Sequence, residues 1–106
     1  MFGRLVTMKL EANSLVELPR IMENEVLPLL RKQKGLCDEI SFVSPERSVA
    51  VSVSLWDTKE DAEAYNLAGY QEVLKTLARV LEGTPTVATF ETVTSTFHKA
   101  AAAKLA

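Results

Sequence analysis

Apolar and polar residues alternate over residues 49–56, and this alternation predicts a β-strand. The odd-numbered positions are all aliphatic: Val49, Val51, Val53 and Leu55. The even-numbered positions carry three small residues and then one large aromatic: Ala50, Ser52, Ser54 and Trp56. Because successive side chains of a strand point to opposite faces, this strand has one aliphatic face and one small face. The small face allows either a close-packed neighbour or space for a ligand.

Three further segments have strand-like patterns: residues 4–11, 36–43 and 86–93. Apolar residues at helical spacing follow the first and third strands, and Gly69 is expected to interrupt the second helical stretch. The first stripe consists of Leu18, Met22, Val26, Leu29 and Leu30. The second consists of Ala62, Tyr65, Tyr70, Val73, Leu74, Leu77 and Leu81. The element order is therefore strand–helix–strand–strand–helix–strand.

Local signals indicate where the helices begin and where one of them restarts. Ser14 followed by Glu17, and Thr58 followed by Asp61, have the spacing of capping boxes. Pro28 lies inside the first helical stripe. A proline there removes a backbone donor and clashes with the preceding turn, so it predicts a kink or a restart.

Two split β–α–β units joined by a hairpin are typical of a ferredoxin-like fold. We expect an α+β fold, βαββαβ, with an antiparallel four-stranded sheet and all helices on one face. Several strands are apolar on both faces, so the other sheet face would expose an apolar surface. A second copy of the same sheet is its simplest cover, and we predict a homodimer through the sheet faces.

Composition places the chain among ordinary globular domains. Its 106 residues are 47% hydrophobic and 25% charged, with a net charge of −2. This balance gives no basic surface for nucleic acid or an anionic membrane, and the chain shows neither a secretory signal nor a bilayer-length apolar run. A cytoplasmic location is expected. The single cysteine, Cys37, excludes an internal disulfide and is expected to be buried.

Four stretches of the sequence carry a resemblance to a known family: "FGRLV", "EVLPLLRKQKGL", "VSVSLWDTKEDAEAY" and "EGTPTVATFE". Through them the chain resembles the antibiotic-biosynthesis-monooxygenase domains of the dimeric α/β-barrel superfamily, over residues 2–93. The resemblance implies a domain of residues 1–95 and a C-terminal tail of residues 96–106. It also implies a barrel of two face-to-face sheets, with a site in the cleft between each sheet and its helices.

The branch that oxidises aromatic polyketides is the best match at the level of individual residues. It has an asparagine and a tryptophan on the third strand and a tyrosine in the next helix. Here Trp56 occupies the tryptophan place, Ser52 replaces the asparagine, and Ala62 stands at the tyrosine place with Tyr65 one turn on. Such enzymes help a phenol to ionise in a dry pocket, and the phenolate then reduces oxygen without metal, flavin or haem.

The resemblance therefore suggests a cofactor-independent monooxygenase for a small aromatic or quinol substrate, with no metal site. The candidate catalytic residues are Trp56 and Tyr65. The candidate substrate-binding residues are Ser52, Ser54, Asn66, Tyr70 and His98. The alternative is a non-catalytic homodimer that binds a small ligand, in which these residues serve mainly as core.

The haem-degrading branch of the superfamily is a poorer match. It uses an asparagine in the first strand, a helix tryptophan and an iron-ligating histidine. Here those places are held by residues near Gly3, by Tyr65 and by Lys75. Because a protonated lysine cannot ligate iron as an imidazole does, haem degradation is disfavoured.

Overall fold

The computed structural model describes residues 1–97, so His98 and the rest of the C-terminal segment lie outside the described residues. Four strands form one antiparallel sheet in the order β2–β3–β1–β4. They are β1 (Phe2–Lys9), β2 (Leu36–Ser44), β3 (Val49–Trp56) and β4 (Thr86–Glu91). The predicted α+β fold with its ferredoxin-like sheet is confirmed.

The helices pack against one face of this sheet. They are α1 (Glu17–Ile21), a π-helical segment (Met22–Val26), α2 (Leu27–Arg31), α3 (Lys59–Leu67) and α4 (Gly69–Leu77). The π-helical segment comes directly before Pro28, which lies in the first turn of α2. A wide turn accommodates the missing proline N–H and relieves the clash of its ring with the preceding turn. The backbone keeps helical dihedrals from Ile21 to Leu27, so the chain passes this proline by a change of hydrogen-bond pattern and not by a break in the helix.

Of the two predicted capping boxes, the one at Thr58 caps its helix and the one at Ser14 does not form. The Thr58 hydroxyl accepts a hydrogen bond from the Asp61 backbone N–H at 3.1 Å and caps α3. The prediction for Ser14 was wrong, because α1 begins at Glu17 without a side-chain cap. Asn13 has a left-handed φ of 68°, and the Ser14 carbonyl, rather than its hydroxyl, accepts the Leu18 N–H.

Helices α3 and α4 meet at a sharp joint, as the glycine at this place predicted. Ala68 between them has φ −124° and ψ −76°, which is not helical. A Cβ atom on Gly69 would lie 2.8 Å from the ring of Tyr65 and 2.9 Å from Oε1 of Gln33. The glycine therefore lets the Tyr65 ring lie directly against the start of α4.

The small face of β3 points toward the helices. Ala50, Ser54 and Trp56 are buried there, together with the alternate residues of β1 from Phe2 to Met8. Among residues 1–97, no helix lies over the opposite sheet face. It exposes large apolar side chains from β2 and β4: Ile40, Phe42 and Phe90, each more than half exposed.

Cys37 is exposed, so the expectation that it is buried was wrong. The pairing of β2 with β3 shifts register between Leu36 and Asp38, which leaves Cys37 as an extra residue at a bulge. Its thiol lies 3.0 Å from Oδ1 of Asp57. In the described part of the chain, no helix is long and apolar enough to cross a membrane.

Candidate functional site

A cavity lies between the small face of β3 and the helices. Its polar lining comes from the sheet through Arg4, Glu39, Ser52 and Ser54, and from the helices through Tyr65 and Tyr70. Aliphatic and methionine side chains of β1, the π-helical segment, α2 and α4, together with Pro85, complete the walls. Its volume is about 30 Å³, the room that one or two water molecules need.

Arg4 is the most unusual residue of this cavity. It is only 2% exposed, and its guanidinium carbon lies 5.0 Å from the ring centre of Tyr65 and 4.2 Å from that of Tyr70. It donates a hydrogen bond of 2.6 Å to Oδ1 of Asn66. Within residues 1–97, no carboxylate lies within ion-pair distance of it.

Burial lowers the pKa of Arg4, because desolvation disfavours its charged form. The two aromatic faces and one amide oxygen replace only part of the lost hydration. A buried cation without a counter-charge produces a positive potential in the cavity. The site is therefore suited to an anionic oxygen, or to one that becomes anionic during a reaction.

Both tyrosines of the cavity are held in the neutral form. Burial raises the pKa of Tyr65 and of Tyr70, and for both the positive charge of Arg4 opposes this shift without cancelling it. Their hydroxyls therefore remain protonated at neutral pH. Among residues 1–97, nothing forms a hydrogen bond with the Tyr65 hydroxyl, so this group is available as a donor to a ligand.

Trp56 lies behind the cavity and does not line it. It is fully buried, its ring stacks on that of Tyr65 at a centroid distance of 4.9 Å, and its Nε1 donates to Oγ of Ser54 at 2.9 Å. The indole thus fixes the position of one tyrosine ring and of one serine hydroxyl. Its contacts are those of a positioning residue.

Glu39 lies at the β2 side of the cavity and is held by two serines. Ser41 and Ser52 each donate a hydrogen bond of 2.7 Å to the same carboxylate oxygen, Oε2. Both bonds use one oxygen, so Oε1 has no hydrogen-bond partner among the described residues. A carboxylate fixed through one oxygen retains the other as an acceptor for a ligand proton.

The register of the sheet places the two charged residues in one row. Arg4 of β1 and Glu39 of β2 both pair with Ser54 of the central strand. Their Cα atoms are therefore about two strand spacings apart, roughly 10 Å. Among the described residues no ion pair joins them, and the cavity has a cation on its β1 side and a carboxylate on its β2 side.

A second, wider groove lies on the other side of Arg4, between α3 and β4. Its volume is about 440 Å³, and its lining includes Arg4, Asn66, Leu67 and Val87. Arg4 lines both the groove and the cavity, and Asn66 holds it from the groove side. The hydrogen-bonded Arg4–Asn66 pair therefore forms part of the wall between the two spaces.

The structure brings four of the seven predicted site residues together at the cavity: Ser52, Ser54, Tyr65 and Tyr70. Asn66 reaches the site through Arg4, Trp56 stands behind it, and His98 lies outside the described residues. Arg4 and Glu39 were not among the site residues predicted from the sequence. The signal for Arg4 was present, since it shares a strand face with Val6 and Met8.

No protein-family model matches the chain, and no curated protein matches it. Solved structures do match over most of its length. A Streptomyces coelicolor monooxygenase in complex with the ligand nanaomycin D is 15% identical, with a TM-score of 0.74 over 89% of this chain and 88% of that one. SnoaB from Streptomyces nogalater, a cofactor-independent oxygenase, is 9% identical, with a TM-score of 0.73 over 91% and 96%.

A third match is a candidate antibiotic biosynthesis monooxygenase from Bordetella bronchiseptica. It is 16% identical, with a TM-score of 0.74 over 88% of this chain and 97% of that one. At these identities the likeness concerns the fold. The chain has the fold of antibiotic biosynthesis monooxygenase structures over nearly all of the described residues.

Proposed function

We propose that this protein is a cofactor-independent monooxygenase-like protein that acts on a small aromatic or quinol substrate in the cleft between sheet and helices. The observation that carries the proposal is the buried Arg4 guanidinium between Tyr65 and Tyr70, with no counter-charge among residues 1–97. An aromatic ligand whose oxygen becomes negative supplies that charge. The fold shared with two named oxygenases supports the same conclusion.

In the proposed reaction, the protein stabilises a phenolate and the phenolate reduces oxygen. A methylene carbon conjugated with the phenolate loses two hydrogens and gains one oxygen atom of O₂, and the second oxygen atom leaves as water. Arg4 stabilises the negative charge, and the neutral Tyr65 hydroxyl donates a hydrogen bond. Trp56 holds Tyr65 in place, and Ser52, Ser54 and Tyr70 shape the space around the ring.

Substrate binding requires the cavity to widen, because its present volume of about 30 Å³ is smaller than any aromatic ring. The joint at Ala68 is the place where α4 can tilt away from the sheet, since no continuous helix crosses it. The groove beyond Arg4 provides a route from solvent, and its 440 Å³ falls within the usual range for ligand sites of roughly 300–1,000 Å³.

We also propose that the protein acts as a homodimer through its open sheet face. Ile40, Phe42 and Phe90 are exposed there next to the aliphatic face of β3. A second sheet packed on this face would bury these side chains and form the dimeric α/β barrel.

A non-catalytic, ligand-binding dimer is the second candidate function. The observation that favours it is the nearly closed cavity, in which Tyr65 and Tyr70 pack as core residues. The two candidates differ in whether oxygen is consumed.

Oxygen uptake with a panel of quinols and anthrones separates these functions. We expect the wild-type protein to consume oxygen and to incorporate heavy-isotope oxygen into the product. Arg4→Met is expected to lower the rate by roughly two orders of magnitude, because it removes the charge that stabilises the phenolate. Tyr65→Phe is expected to lower it roughly tenfold.

The matched control is Arg47→Met, which removes an exposed arginine from the β2–β3 turn and is expected to leave the rate unchanged. Circular dichroism establishes that each variant is folded. A wild-type protein that consumes no oxygen with any of these compounds would refute the monooxygenase proposal. An Arg4→Met variant as active as wild type would show that Arg4 does not have the proposed role of stabilising the phenolate.

A further inference from the structure

Residues 92–97 leave the edge strand β4 and pass across the open face of the sheet. Thr92 is fastened at the start of this stretch, since its backbone N–H and its hydroxyl both donate to the carbonyl oxygen of Met1, at 3.2 and 2.7 Å. Phe97 lies at the far side of the same face, in a pocket of about 170 Å³ where β2 and β3 pair. The other residues that line this pocket include Asp38, Ile40, Val53 and Leu55. The stretch therefore crosses β1 and β3, and we call it the strap.

The register of the sheet shows that the strap lies over the open face and not beside it. Gly3, Leu55 and Phe90 belong to one row across the sheet, and Leu5 and Val53 belong to the next. All five line a groove of about 400 Å³ together with the first residues of the strap. Because these rows alternate with the buried rows of the same strands, the groove is on the side away from the helices.

The strap is held loosely beyond Thr92. Within residues 1–97, the Phe97 N–H donates to Oγ of Ser95 at 2.8 Å, and residues 93–97 form no hydrogen bond with the sheet. Phe97 is still 51% exposed in its pocket, and Val93 is 87% exposed. The half-buried ring is therefore the main contact between this part of the strap and the sheet, and its displacement costs little.

A second sheet and the strap cannot occupy the same area of this face. Sheets that pack face to face lie about 10 Å apart, and side chains from both sheets fill the space between them. The backbone of the strap takes up that space over the two rows that it crosses. While the strap is seated, the uncovered part of the face is the end with Thr7, Val51 and Phe42, which form a further row.

We propose that the strap competes with a second copy of the chain for the open face. The chain then exchanges between a monomer with Phe97 seated on its own β2–β3 pair and a dimer with both straps displaced. This inference rests on the homodimer of the proposed function and adds a control on its assembly. Because each protomer releases one strap, the release equilibrium enters the dimer dissociation constant twice. A strap that is seated roughly tenfold more often than released raises that constant roughly a hundredfold.

Phe97→Ala removes the seated ring without changing the sheet. Its dimer dissociation constant, measured by sedimentation equilibrium, is expected to be roughly tenfold to a hundredfold lower than that of the wild type. Val93→Ala is the matched control in the same segment, because Val93 is mostly exposed, and it is expected to leave the constant unchanged. A higher constant in Phe97→Ala would place the ring inside the dimer interface, and an unchanged one would mean that the strap does not compete. Either result overturns the proposal.

Nuclear Overhauser contacts test the position of the Phe97 ring directly. In a variant kept monomeric by Phe42→Lys, contacts between this ring and the methyl groups of Ile40 and Leu55 are expected. In the wild-type dimer these contacts are expected to be lost. Contacts that persist within one protomer of the dimer, or that form between the two protomers of a mixed-label dimer, would contradict the competition.

These outcomes are separate from those that test the proposed function. A wild-type protein and a Phe97→Ala variant that are both monomeric would refute the dimer interface, and the role of the strap with it. Dimers with equal dissociation constants would refute the strap alone. Oxygen uptake tests the chemistry of the cavity, which lies on the other side of the sheet, independently of both.

Discussion

At the scale of single residues, the site depends on charges that the fold keeps apart. Arg4 is buried among aromatic rings instead of being paired with an acid, and Glu39 is bound to serines instead of to a cation. An arginine in this position reduces stability, because a buried charge is only partly compensated by aromatic faces and an amide. Charged residues of this kind are commonly retained for binding or catalysis.

The two tyrosines give the site a measurable pH dependence. Folding raises the pKa of both above the ordinary value of 10.0, so the neutral forms stabilise the folded state. That stability is fully present below pH 10.0 and is lost as the pH rises toward the higher pKa values of the folded state. The urea concentration at the unfolding midpoint is expected to decrease as the pH rises above 10.0. The decrease is expected to be smaller in Tyr65→Phe.

Tyrosinate absorbance checks the same expectation directly, because Tyr65 and Tyr70 are the only tyrosines of the chain. The absorbance is expected to appear together with unfolding. Tyrosinate that forms at the ordinary pKa while the protein remains folded would show that these rings are not shielded from water.

Sequence reasoning identified the residues of the small face more easily than the charged residues beside them. The alternation of β3 is enough to place Ser52 and Ser54 on one face, and the structure shows both lining the cavity. The environment of Glu39 depends on how β2 aligns with β3, and a bulge at Cys37 sets that alignment. Periodicity within one strand does not reveal such a register.

At the scale of elements, the helix layer is built from short pieces joined at irregular points. An irregularity near Pro28 and the joint at Gly69 were both predictable, because proline and glycine impose known constraints on a helix. The π-helical form of the first irregularity was not predictable from spacing alone. These irregular points direct Met22 and Val26 on one side, and Tyr65 on the other, toward the cavity.

Gly69→Ala tests the close contact at the α3–α4 joint. The added Cβ would lie 2.8 Å from the Tyr65 ring, which is also stacked on Trp56. The expected loss is about 1–3 kcal/mol in the free energy of unfolding, measured by urea denaturation. The matched control is Gly3→Ala, whose Cβ has no neighbour nearer than 3.8 Å, with an expected change within about 0.5 kcal/mol. Equal effects would mean that the joint is not tightly packed.

At the scale of the whole molecule, one face of the sheet is covered by helices and the other is open. One face holds the core and the cavity, and the other exposes Ile40, Phe42 and Phe90 to solvent. Sequence patterns predicted both faces, because apolar residues occupy both sides of several strands. A domain of 106 residues buries a limited core alone, so an added interface would contribute substantially to its stability.

A charge on the open face is expected to dissociate the proposed dimer. Phe42→Lys places an ammonium group where the second sheet would pack, and light scattering at micromolar concentration is expected to show the monomer mass. Val16→Lys is the matched control, because Val16 is 71% exposed outside the sheet and its replacement is expected to leave the dimer intact. A wild-type protein that is already monomeric would exclude the interface.

Because Trp56 stacks on Tyr65, the fluorescence of this tryptophan depends on the conformation of the cavity. The chain has one tryptophan, so all indole fluorescence comes from a single fully buried ring. Any widening of the cavity that shifts the tyrosine changes the surroundings of that ring, at an initial centroid distance of 4.9 Å. Its emission therefore provides a label-free optical signal for ligand binding, whatever chemistry follows.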